Sequence, residues 1–122
     1  GKPLMFGHIG ETRVLGLPGN PVSSLVCAIL FLRPLIDALL GRPPADVSGP
    51  AILGSAVVAN DGREDYLRAR LVATRAGRVA TPVPVQDSSM LSALSLADCL
   101  LIRAPHAPAA KIGDPCRIIP LP

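Results

Sequence analysis

The chain has 122 residues, of which 49% are hydrophobic and only 2% aromatic, and its formal net charge is +3. That is enough for a folded domain with a modest core of Leu, Ile, Val and Ala, and too apolar for a disordered segment. Five arginines fall between Arg63 and Arg78, but Phe6, Phe31 and Tyr66 are too few to form the stacking platforms of a single-strand nucleic-acid binder.

Fourteen prolines and eleven glycines imply many turns, which suits short strands better than a helical bundle. Cys27, Cys99 and Cys116 are odd in number and widely spaced, with no C-x-x-C pair. They read as reduced, buried thiols of a cytoplasmic protein and argue against a zinc site. His8 and His106 stand far apart, with no cysteine or acid at ligand spacing. The N-terminus lacks a charged region followed by an apolar run, so no signal peptide is expected.

Residues 1–10 read as a loop with a short extended piece, Leu4 to Phe6. Arg13 to Leu17 reads as a short buried strand. The string Gly16-Leu17-Pro18-Gly19-Asn20-Pro21-Val22-Ser23-Ser24 then fixes a tight turn. Pro18 sets its own φ, and Gly19 tolerates positive φ. Asn20 is a strong N-cap, held extended by the proline after it, and Pro21 fits the first helical position. Such a helix start can attract an anion, or the turn can simply connect strand to helix.

The helix starts at Pro21 and ends by Gly41, a good residue just past a helix end, with Pro34 expected to kink or split it. Val22, Leu25, Val26, Ile29, Leu30, Leu32, Leu35, Ile36, Leu39 and Leu40 ring most of its circumference. Arg33 and Asp37 near its middle argue against a membrane span. A helix apolar nearly all round is covered on more than one side. The cover is expected to be a parallel sheet in a longer parent polypeptide, with a second copy of this chain as the alternative.

Arg42 to Pro50 reads as a linker. Ile52 to Ala59 is a mostly apolar strand, and Asn60-Asp61-Gly62 a turn. Tyr66 to Thr74 alternates, with Leu67, Ala69, Leu71 and Ala73 on one face and Tyr66, Arg68, Arg70 and Val72 on the other. Arg75 to Arg78 turns into a strand, Val79 to Val85, which Pro82 and Pro84 demote to an edge or a bulged strand. A short helix capped by a serine is expected over Ser88 to Ala97. Asp98 to Arg103 and Cys116 to Leu121 are strands, with a loop from Pro105 to Pro115. The fold class is therefore mainly β, with a small barrel or folded sheet from about Gly49 to Leu121.

No nucleophile–base pair, Walker-type loop or metal cluster stands at recognisable spacing. What remains is Lys2-Pro3, the segment Arg63-Glu64-Asp65-Tyr66-Leu67-Arg68-Ala69, and the segment Gln86-Asp87-Ser88-Ser89-Met90-Leu91-Ser92. A lysine, an arginine and a serine hydroxyl supply charge, a planar fork and a rotatable donor, which suits an oxyanion. A solvated lysine and arginine with an N-cap serine would look the same in sequence.

These segments, with Gly1-Lys2-Pro3-Leu4-Met5-Phe6-Gly7 and Leu17-Pro18-Gly19-Asn20-Pro21-Val22-Ser23, occur in the same order and at similar spacing in one family. Along essentially its whole length the chain resembles the molybdopterin molybdenumtransferases, of which gephyrin's E domain is an animal relative. The resemblance implies that residues 1–43 are the terminal strand and helix of the family's α/β molybdopterin-binding domain, and residues 44–122 its C-terminal β-barrel domain. It implies insertion of molybdate into adenylylated molybdopterin with release of AMP, Mg2+ being bound by earlier parts of the parent, and it implies a homodimer. Lys2, Arg63 and Ser88 are then the catalytic candidates around molybdate. Pro3 lies beside them, and Pro18, Gly19, Asn20, Pro21 and Ser23 shape the pterin side. No metal ligands are expected in this chain, and no nucleic acid or membrane partner.

The family usually carries a further lysine just ahead of Gly1, and its acidic and glycine-rich motifs lie earlier still. The chain by itself is therefore expected to be inactive. Asp87 stands where a small or apolar residue is more usual, and it would weaken an anion beside Ser88. The competing expectation is a barrel that serves only as a structural or interaction module.

Overall fold

The computed structural model describes residues 5–16, 21–43, 46–84 and 97–121. The chain divides into two compact units, the first made chiefly of residues 1–46 and the second beginning at Val47.

The first unit opens with a β-hairpin, β1 (Met5–Ile9) and β2 (Thr12–Gly16), paired antiparallel from Met5↔Gly16 to Ile9↔Thr12. Residues 5–9 are thus a full strand where mostly loop was expected. The two-residue turn Gly10-Glu11 sets the register, and a strand as short as Phe6-Gly7-His8-Ile9 shows its period only once its partner is known.

The helical segment consists of α1 (Pro21–Cys27), a π-helical turn over Ala28–Leu32, and α2 (Arg33–Leu39). The break expected at Pro34 takes this form for a simple reason. Proline has no N–H, and its ring crowds the carbonyl four residues back. Widening the preceding turn, so that the Arg33 N–H donates to the Ala28 carbonyl, relieves both problems. The C-terminus closes as the sequence suggested. Gly41 takes φ +71°, its N–H donates to Ala38 O at 3.1 Å, and the Arg42 N–H donates to Asp37 O at 2.8 Å. That double bond is a Schellman cap.

The second unit is a closed five-stranded barrel: β3 (Gly49–Leu53), β4 (Asp65–Thr74), β5 (Gly77–Pro82), β6 (Cys99–Arg103) and β7 (Pro115–Pro120) in the order β3-β5-β4-β6-β7. Only β3 and β5 are parallel, and β3–β7 pairing closes the ring. Five strands leave a narrow interior. Small Ala51, Ala69, Ala80 and Cys99 fill it alongside Leu53, Leu101 and Ile118.

Two expectations about strands change. β3 stops at Leu53, and beyond it Val57 makes an isolated bridge to Ala110. Gly54 explains the stop: a Cβ there would collide with the Thr81 hydroxyl, so the chain crosses too close to β5 to continue as an ordinary strand. β5 is not an edge, since it lies between β3 and β4. The Ala80 carbonyl accepts from the Gly54 N–H, so residues 80 and 82 face β3, whose pairing ends there. Pro82 thus lacks its N–H on the one side where no partner waits. Pro84 lies beyond the strand, and the expected helix over Ser88 to Ala97 falls almost entirely outside the described residues.

Candidate functional site

The turn Asn60-Asp61-Gly62-Arg63 delivers the chain into β4. Asn60 Nδ2 donates to the carbonyls of Arg63 (2.6 Å), Ala104 (2.9 Å) and Arg103 (3.1 Å). Asp61 Oδ1 accepts from the Arg63 N–H at 3.0 Å. The Arg63 side chain itself is exposed to solvent. Across from this turn, Arg103 Nη2 donates to the carbonyls of Pro108 (2.7 Å) and Val58 (3.0 Å), locking the loop after β6 against the loop before β4.

Five residues further along β4 stands Arg68, 4% exposed and the buried charged residue among those described. The expected alternation places it on the outer face of the barrel, opposite Leu67 and Ala69. Its cross-strand neighbours in that outer row are Leu100 on β6 and, beyond it, Ile119 on β7, and both are buried. A guanidinium taken out of water there needs anionic or hydrogen-bonding company to be tolerated. The sequence reading put Arg68 on the solvent side of β4. Nothing in the alternation distinguished it from Arg70 on the same face, which is exposed.

The neighbouring titratable groups serve structure. Tyr66 Oη donates to Glu64 Oε2 at 2.6 Å. Burial, then the hydrogen bond and charge of Glu64, push the Tyr66 hydroxyl up to about 12. A cavity of about 480 Å³ opens beside the turn, lined among others by Val57, Leu67, Asp61, Asp65 and Arg103. Its two carboxylates make it a poor seat for a dianion. Among the described residues no three His, Cys, Asp or Glu converge as a metal site, and no helix is long and apolar enough to cross a membrane.

Of the residues singled out in the sequence, Lys2, Pro3, Pro18, Gly19, Asn20 and Ser88 lie outside the described residues. Pro21 and Ser23 fall by backbone in the first turns of α1. Arg63 is the catalytic candidate that the structure describes in full.

Residues 50–121 match the family model described as the MoeA C-terminal region (domain IV). The chain is 30% identical to the molybdopterin molybdenumtransferase of Haemophilus influenzae, over 98% of this chain and 30% of that protein. It is 31% identical to the molybdenum cofactor synthesis protein cinnamon of Drosophila melanogaster, over 93% of this chain and 20% of that one. The crystal structure of the molybdopterin biosynthesis moeA protein from Pyrococcus horikosii superposes with a TM-score of 0.78 at 27% identity, covering 98% of this chain and 29% of its own. The chain thus spans less than a third of the length of these relatives.

Proposed function

The chain belongs to the MoeA family through its C-terminal region, and from that premise we propose that it is the C-terminal part of a molybdopterin molybdenumtransferase. In this reading the parent protein inserts molybdate into adenylylated molybdopterin and releases AMP, as a homodimer in the cytoplasm. Residues 1–43 close the parent's α/β domain, residues 44–122 form its barrel domain, and Mg2+ is held by earlier segments of the parent.

Molybdate is a tetrahedral dianion. It needs compensating charge and fixed donors, and such groups stabilise developing charge best when they are in place beforehand. The observation that supports the site is Arg63, an exposed cation whose backbone is held at both its N–H and its carbonyl by the turn that opens β4. An arginine fork matches a tetrahedral oxyanion better than the point charge of a lysine does. Lys2 and the Ser88 hydroxyl complete the set, with Pro3, Pro18, Gly19, Asn20, Pro21 and Ser23 bounding the pterin.

The test uses the full-length protein that carries this chain, with molybdate-dependent cofactor formation as the readout. The quantity read is kcat/KM for molybdate. Arg63→Ala and Ser88→Ala are expected to lower it by about tenfold each. Wild-type activity in both removes the site. The second reading, a barrel that only supports or docks, is favoured by the lack of a self-contained catalytic constellation among the described residues. Full activity in a parent truncated before Pro44 would establish it.

A further inference from the structure

We propose that Asn60 is a positioning residue for the anion site, acting through the peptide of Arg63. The proposal rests on the reading of Arg63 as a cation at the molybdate side. Both polar groups of the Arg63 backbone are gripped from the same turn: its carbonyl by Asn60 Nδ2 at 2.6 Å, its N–H by Asp61 Oδ1 at 3.0 Å. The two N–H groups of the Asn60 amide serve three carbonyls, those of Arg63, Arg103 and Ala104, so one is shared. The amide therefore ties the entry of β4 to the exit of β6.

The far side of that tie is itself immobilised. The Asn60 N–H donates to Ala107 O at 2.9 Å, the His106 N–H to Asp61 O at 2.7 Å, and Val57 and Ala110 exchange bonds of 3.0 Å. Arg103 Nη2 adds its two bonds to Val58 and Pro108. Aspartate in place of Asn60 would bring no donor and would repel the carbonyls, and alanine would leave all three unserved. Arg63 has a long, exposed side chain with many rotamers. Fixing its backbone narrows where the guanidinium can go, which lowers the ordering cost when the anion arrives. The effect belongs to anion capture and not to the later chemical step.

The experiment is a double-mutant cycle in the full-length protein, reading KM for molybdate and kcat separately. Asn60→Ala is expected to raise KM about tenfold and to leave kcat within about twofold. In an Arg63→Ala background the same substitution is expected to change KM by less than about twofold. If Arg63→Ala alone leaves KM unchanged, the reading of Arg63 falls, and this proposal with it. If Arg63→Ala raises KM but Asn60→Ala does not, or does so equally in both backgrounds, the positioning role falls while Arg63 stands. Should Asn60→Ala fail to fold, Asp61→Ala, which releases only the Arg63 N–H, takes its place. Its KM effect is expected to be about threefold and to vanish in the Arg63→Ala background, and a threefold effect that persists there overturns the proposal.

Discussion

Cys99 begins β6 with its side chain inside the barrel, its Sγ donating to the Ala69 carbonyl at 3.6 Å. Burial first, then the charges of Asp98 and Cys116, push its thiol from 9.0 up to about 11, with Arg78 pulling slightly the other way. The raised value means the folded barrel favours the neutral thiol. That contribution is complete below about pH 9 and is lost as pH rises towards about 11, because ionisation then places a thiolate in the core. Urea midpoints measured from pH 8 to 11 are expected to fall with pH, and to fall less steeply in Cys99→Ala. Parallel slopes in the two proteins would rule out this origin. Burial raises Cys116 in the same sense, so some slope remains in the variant. Arg68 gives the opposite lesson about single residues. Strand alternation identified its face, but alternation cannot reveal that an outer face is covered, so its burial was not legible.

The helical segment shows how far an element can be read by itself. Its start at Pro21, its interruption near Pro34 and its stop at Gly41 all follow from local chemistry, and each stands in the structure. Its partner does not follow. Cys27 and Ile29 are buried, whereas Phe31, Ile36, Leu39 and Leu40 are exposed, the last two at 61% each. Apolar side chains in this number are seldom left bare on a helix. The 122-residue chain in isolation is therefore expected to self-associate. Leu39→Gln with Leu40→Gln is expected to shift it towards monomer in sedimentation velocity, with weaker binding of an apolar-surface dye. A wild-type chain that stays monomeric at high concentration would contradict this. Conversely, β3 was read six residues past its end, because the reason for that end, the crossing of Gly54 against Thr81, is a tertiary contact.

At the scale of the whole molecule, a closed barrel follows a unit that holds one hairpin and one interrupted helix. The chain spans 20–30% of the relatives it resembles. Among the described residues no three His, Cys, Asp or Glu converge to hold a metal ion, and by the family resemblance the Mg2+ and nucleotide sites lie in earlier parts of a parent. The isolated chain is thus expected to show no molybdate-dependent cofactor formation, and to give activity only when joined to the rest of a parent. Turnover by the isolated chain would overturn the division of labour proposed above. What the amino-acid order determined was local: where the helix begins, breaks and ends, which turns need glycine or proline, and the ordered motifs that mark the family. Backbone sterics, capping and side-chain period act over a few residues, so they are written into adjacent letters. What only the tertiary structure decided was closure: the β3–β7 seam, the interior place of β5 despite its prolines, and the burial of Arg68. These depend on contacts between residues tens of positions apart, whose free energy appears only when the ring is complete.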